Sequence, residues 1–246
     1  MKKKVNFGFK KVSEDIKNNL VNDIFSSVAD NYDLMNDLMS FGIHRIWKDK
    51  MIRFCDIRDN QLIIDIATGS GDIAHRLIKS ANNVNITCLD TNLDMLTICR
   101  NKLLDHGYSK NLNFIQSSIE NINLNQNYFD LATIAFGFRN FTNHNIALKN
   151  IYKILKPGGK LVILEFTQPR NKFITKAYDY YLLNVIPKIG KIIASDYDSY
   201  RYLAESIKTY MNADEVKQML VDNGFIKTKY FYLFGEIVTI HIGYKN

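Results

Sequence analysis

The residues whose types and spacing can do chemistry cluster around Asp65, Gly69, Gly71 and Asp90. In LIIDIATGSGDIA (62–74) an apolar run ends in an acid, and a glycine-rich turn follows at once. Glycine lets a backbone turn sharply and approach a ligand closely. A helix starting just after such a turn offers free N–H groups and a positive dipole end. Asp90 closes the next apolar run, VNITCLD (84–90). An acid at that place accepts hydrogen bonds from both hydroxyls of an adenosine ribose. Ala67, Thr68, Gly69, Ser70 and Gly71 of the turn, and Thr91 after the acid, are therefore the expected nucleoside contacts.

Two cofactor classes fit a turn of this kind. Gly69, Gly71 and Ala74 match a relaxed G-x-G-x-x-A dinucleotide fingerprint, so an NAD-dependent oxidoreductase is one reading. Asp65 argues against it, because a carboxylate four residues before the first glycine repels a pyrophosphate. A ligand carrying an amino group and a sulfonium is instead attracted by that charge. S-adenosyl-L-methionine is the expected cofactor. Ser118 and Ile119, after the run LNFIQ (112–116), supply a polar edge and an apolar wall for adenine, and Met95 a cover for its face.

These residues need a scaffold. The apolar runs 62–67, 84–90, 112–116, 129–136 and 160–166 read as strands, with helical segments 72–80, 92–106 and 143–155 between them. That alternation implies an α/β fold with a mostly parallel sheet covered on both faces. LKPGGK (155–160) ends a helix and starts the fifth strand. FIKTKYFYLF (225–234) and EIVTIHIGYK (236–245) read as a closing antiparallel hairpin across Gly235, which leaves no second βαβαβ half for a nicotinamide. Residues 1–56 read as an N-terminal helical cap and 57–167 as the cofactor-binding core. Residues 168–209 read as a Tyr-rich helical insert, and 210–246 as the helix and hairpin that complete a seven-stranded sheet.

The chain has 246 residues, 46% hydrophobic and 23% charged, with a net charge of +7, the composition of a globular protein. Its prolines are Pro157, Pro169 and Pro187, so neither an Asn/Asp-Pro-Pro-aromatic turn nor a Pro-Cys nucleophile exists. The basic charge thereby loses most of its meaning for nucleic acid. Cys55, Cys88 and Cys99 have no CxxC spacing, which points to a reducing compartment and away from a metal site. MKKK has no apolar run behind it, and no stretch is long enough to cross a bilayer. A cytoplasmic protein, peripheral to the membrane at most, is expected.

At the end of the fourth strand stands AFGFRN (135–140), where Arg139 faces the carboxyl edge of the sheet, a substrate position by topology. YDLMNDLMSFGIHRIW (32–47) resembles the first signature of the ubiquinone/menaquinone biosynthesis C-methyltransferases, matched by Tyr32, Asp33, Met35, Asn36, Ser40, His44 and Trp47. LKPGGKLVILEFT (155–167) resembles the second, with Thr167 where the family usually has Ser. FGFKKV (7–12), the FGFRN turn and DSYRYLAESI (198–207) are also similar, so the resemblance runs nearly end to end. It implies a Rossmann-like class I methyltransferase that moves a methyl group from S-adenosyl-L-methionine to a polyprenylated benzoquinol or naphthoquinol. A family serine that touches the cofactor corresponds to Ala135, and an Asn-Ala pair near adenine corresponds to Ser118 and Ile119.

Methylating an aromatic carbon requires an electron-rich ring, hence a quinol with an ionising hydroxyl. Arg139 is the expected stabiliser of that oxyanion. His44 and Asp33, with Asp179 or Tyr200 in the cap, are the candidate proton acceptors. The insert residues Tyr178, Tyr180, Tyr181, Leu182, Leu183, Val185 and Ile186 are a candidate groove for the isoprenoid tail. Lys172, Lys176, Lys188 and Lys191 would favour an anionic membrane surface. Self-association or a non-catalytic place in a quinone-biosynthesis complex is the competing use of such a cap.

Overall fold

The computed structural model describes residues 4–29, 32–193 and 195–246; the side chains of Tyr32, Asp33, Leu38 and Met39 lie outside that description. The chain opens on an antiparallel hairpin, β1 (Lys4–Phe7) and β2 (Lys10–Ser13). Three helices follow, α1 (Glu14–Val28), α2 (Tyr32–Ser40) and α3 (His44–Cys55). The hairpin corrects the expectation of helix from the first residue. Val5 and Phe7 alternate with polar residues, the period of a strand. Gly8, at φ +56°, turns where any side chain would strike the Glu205 carboxylate. Phe9 N–H donates to Glu205 Oε2 at 3.1 Å, and Phe7 stacks on Tyr202 with ring centroids 4.4 Å apart.

The core alternates β3 (Leu62–Ile66), α4 (Asp72–Ser80), β4 (Asn85–Asp90), α5 (Leu93–Asp105) and β5 (Leu112–Gln116). It continues with β6 (Phe129–Ala135), α6 (His144–Ile154) and β7 (Leu155–Phe166). After the insert come α10 (Ala213–Asp222), β8 (Ile226–Leu233) and β9 (Val238–Tyr244). The seven strands lie in the order β5-β4-β3-β6-β7-β9-β8, parallel except that β9 runs against both β7 and β8. The expected α/β sheet with a closing hairpin is what forms.

Continuous apolar strands are explained by two cores, one on each face. Ile63 pairs with Leu131 and both join a cluster with Met51 and Leu77. Ile64 pairs with Ala132 and both join a cluster with Leu148 and Val216. Pro157, Gly158 and Gly159 sit inside β7 as a bulge, because the register jumps from Phe129↔Leu155 to Leu131↔Lys160. The insert forms α7 (Lys172–Tyr180), one π-helical turn (Tyr181–Val185), α8 (Ile186–Ile193) and α9 (Tyr197–Lys208). Among the described residues no helix is long and apolar enough to cross a membrane.

Candidate active site

The carboxyl ends of β3, β4 and β6 meet around a cavity of about 800 Å³. Ala67 leaves β3 at φ +54°, and Thr68 N–H donates to Leu89 O at 3.1 Å, which ties the turn to β4. Gly69, at φ +55°, donates its N–H to Asp90 Oδ2 at 2.9 Å. Gly71, at φ +80°, begins α4, and a Cβ there would lie 2.6 Å from Cys99 Sγ. Glycine is needed at that position for conformation and for packing alike.

Of the expected cofactor contacts, Ala67, Gly69, Asp90, Thr91, Met95, Ser118, Ile119 and Ala135 all face the cavity. Thr68, Ser70 and Gly71 do not; they are buried parts of the turn itself. Asp65 is the main departure. Its carboxylate accepts from the hydroxyls of Thr68 at 2.6 Å and Thr133 at 2.7 Å, and it walls no part of the cavity. Burial pushes its pKa up to about 6, against the pull of those two hydroxyls. Asp65 therefore braces the turn from behind the cavity wall.

Asp90 and Glu120 face the cavity, and among its described walls there is no Lys, Arg or His. Two carboxylates without a cation suit a sulfonium ligand and repel a pyrophosphate. Asp90 shares the cavity wall with the apolar side chains of Leu89, Met95 and Ile119. Ser118 turns its hydroxyl toward Glu120 Oε2 at 3.0 Å and so braces the adenine-side loop. The wall set fits S-adenosyl-L-methionine.

One wall was not legible beforehand. Asn18, Val21 and Phe25 of α1 face the cavity, spaced as one helix face. Polar contacts hold α1 down: Lys17 Nζ donates to Phe141 O at 2.9 Å and Ser26 Oγ to Asp94 Oδ2 at 2.7 Å. Burial lowers Lys17 to about 8, with Glu120 opposing.

Beside the cofactor cavity lies a second, narrow chamber, which shares Phe25 and Phe136 as walls with it. Val28, Met35, Phe166 and Leu203 make it apolar, and Asn36 and Arg139 add polar groups. Arg139 is tied to a buried carboxylate: its Nη1 donates to Glu165 Oε1 at 2.8 Å and its backbone N–H to Oε2 at 3.1 Å. The two side chains are 5% and 0% exposed. Asn140 lines the cofactor cavity and accepts from Tyr202 Oη at 3.0 Å.

His44 walls neither space. The single Ser40 hydroxyl proton goes to Asn36 O at 2.7 Å, so His44 Nδ1–H is the donor to Ser40 Oγ at 2.9 Å. Burial and then Lys48 lower its pKa to about 4, and it is neutral at pH 7. The side chain of Asp33 lies outside the described residues. Asp179 pairs with Lys208, and Tyr200 is buried against Gly190. Leu182 and Ile186 are core residues packed in one cluster with Phe136 and Phe166, not a free groove.

Strands in this order, with a glycine turn after β3 and a cation-free nucleoside cavity, define the class of Rossmann-like methyltransferases. A SAM-dependent methyltransferase from Aquifex aeolicus shares the fold with a TM-score of 0.59 at 16% identity, covering 81% of this chain and 89% of that one. The ubiquinone/menaquinone biosynthesis C-methyltransferase UbiE of Rickettsia bellii is 47% identical over 244 residues, 98% of each chain. That of Pseudoalteromonas translucida is 43% identical over 244 residues, 99% of this chain and 97% of the relative. A profile of the ubiE/COQ5 methyltransferase family matches residues 12–245. The chain belongs to the ubiE/COQ5 methyltransferase family.

Proposed function

We propose that this chain is an S-adenosyl-L-methionine-dependent C-methyltransferase acting on the ring of a polyprenylated demethyl-benzoquinol, a demethylmenaquinol, or both. The observation that carries the reading is the pair of adjoining spaces: an acidic, cation-free cofactor cavity and an apolar chamber that shares Phe25 and Phe136 with it. Neither a nicotinamide half-site nor a phosphate-binding wall accompanies them among the described residues, which removes the support for an oxidoreductase. A purely scaffolding role leaves the cavity and its acids without a purpose.

Bound there, S-adenosyl-L-methionine would supply an electrophilic methyl group on a cationic sulfur. Asp90 would hold the ribose, Met95 and Ile119 the base, and Glu120 would add negative charge to the wall. The acceptor carbon must be electron-rich, which a hydroquinol is and a quinone is not. A phenol of pKa about 10 is ionised in roughly one part in a thousand at pH 7, so each unit of lowering contributes about 1.4 kcal/mol. Arg139 stands in the chamber wall, but Glu165 compensates its charge. Its contribution is therefore a fixed, oriented donor group more than a bare positive field. His44 walls neither space, so Asp33, from the same signature, is the proton acceptor in this proposal.

A substrate with a polyprenyl tail resides in a bilayer. The chain is thus proposed to work as a peripheral protein at the cytoplasmic face of the membrane. The test is methyl transfer from labelled S-adenosyl-L-methionine to a short-tailed demethylquinone, offered reduced and oxidised in parallel. Label should enter the ring carbon only under reducing conditions. Equal labelling of both forms, or none in either by folded, cofactor-binding protein, would overturn the proposal.

A further inference from the structure

From Lys172 to Ile193 the insert is one unbroken helical run, α7, the π-helical turn and α8. Its two sides differ sharply. Leu182 and Ile186 point inward to the apolar cluster that contains Phe136 and Phe166, two walls of the acceptor chamber. The outward side carries Phe173 at 85% and Ile192 at 81% exposure, large apolar groups in water without cover. Lys172, Lys176, Lys188 and Lys191 are exposed on the same run. Its one carboxylate, Asp179, is half-buried and paired with Lys208. A second element extends the patch: Phe41, 75% exposed in the turn between α2 and α3, stacks on Tyr181 at 5.8 Å.

We infer that this helical run, with Phe41 beside it, is a docking face for an anionic lipid bilayer, seated parallel to the membrane with Phe173 and Ile192 inserted and the four lysines at the headgroups. Large apolar residues alternating with uncompensated cations on one side of a helix are what an interfacial helix needs. A second copy of the chain would bring the same four lysines against themselves, whereas an anionic surface complements them. The inference rests on the proposed polyprenylated substrate for its purpose: the helix that meets the lipid is the one whose inner side joins the apolar cluster of Phe136 and Phe166. A quinol would then pass from bilayer to site without its tail crossing water.

The full chain is sedimented with vesicles of phosphatidylglycerol and phosphatidylethanolamine, and with neutral phosphatidylcholine vesicles. Binding should favour the anionic vesicles and weaken as salt rises. Each Lys→Glu change in the run should weaken it by about fivefold or more. Phe173→Ser with Ile192→Ser should abolish cosedimentation at low micromolar protein. Both residues are exposed, so methyl transfer to a short-tailed, water-soluble quinol should stay unchanged while transfer to a long-tailed quinol in vesicles falls at least tenfold. Wild-type protein that stays in the supernatant yet methylates the soluble quinol would overturn the docking face and leave the enzymatic reading standing. So would a stable dimer in sedimentation velocity that Phe173→Ser dissolves and vesicles do not compete with. Vesicle binding that needs these residues, without methyl transfer to any quinol, would support the face and remove the proposed acceptor.

Discussion

Asp65 and Asp90 end adjacent parallel strands at the same edge of the sheet, and burial raises the pKa of both. Their partners separate them. Asp65 is closed off by two threonine hydroxyls, whereas Asp90 accepts backbone N–H groups from Gly69 and Asn92 and still faces the cavity. A carboxylate at a strand end is therefore not yet a ligand-binding group; the donors that surround it decide. Side-chain hydroxyls enclose it as a brace. Loop N–H groups hold it at the loop's own edge, where a ligand can share it.

Glu165, at the end of β7, is a third case, enclosed by a cation. This pair gives the largest effect expected. Arg139→Ala should lower stability by about 3–5 kcal/mol, because it strands a fully buried carboxylate. Arg139→Met with Glu165→Gln should recover most of that loss in urea unfolding. Should Arg139→Ala cost under about 1 kcal/mol while methyl transfer vanishes, the guanidinium would be acting on the acceptor and the brace reading of this strand end would fail.

The cofactor side separates Asp90 from Asp65 directly. Asp90→Ala should weaken S-adenosylhomocysteine binding about a hundredfold in calorimetry, the loss of two hydrogen bonds to a charged group. Asp65→Asn should change it by less than about threefold. Equal losses would mean that the enclosure of Asp65 opens when ligand binds, and the distinction between the two strand ends would collapse.

The sequence carried the sheet, the glycine turn and Asp90, because those depend on local period and on residues close in the chain. It did not show the enclosure of Asp65, since Thr133 comes from β6 and nothing in the spacing links the two. It also missed α1 as a cavity wall and Glu165 as the partner of Arg139, both of which are long-range contacts. Gly137 shows the same limit at the scale of one atom. It looks like an ordinary turn glycine, yet a Cβ there would stand 2.5 Å from the Cβ of Ala67. Gly137→Ala should cost about 1–3 kcal/mol by overpacking. Adding Ala67→Gly should restore most of it, since position 67 already sits at φ +54°. Failure of that rescue would place the constraint on Gly137 outside this contact.

The smallest effect is a difference in pH dependence. Asp65 is pushed up to about 6 in the fold from an ordinary 3.8, so the folded state holds its proton more tightly than the unfolded chain. Its contribution to stability is full below about pH 4 and is lost as pH rises through 6. His44, lowered to about 4 by burial first, has the opposite sign: its contribution is present above about 6.5 and is lost as pH falls through 4. The two oppose each other in one window, so a wild-type curve alone is uninformative. Subtracting the curve of Asp65→Asn isolates the carboxylate. At pH 7 the substitution should stabilise by on the order of 1 kcal/mol, the linkage of at most about 3 kcal/mol being partly offset by loss of charge-assisted hydrogen bonds. At pH 4 that gain should be gone. A difference independent of pH would show that Asp65 is solvated in the fold and not closed off by the two threonines.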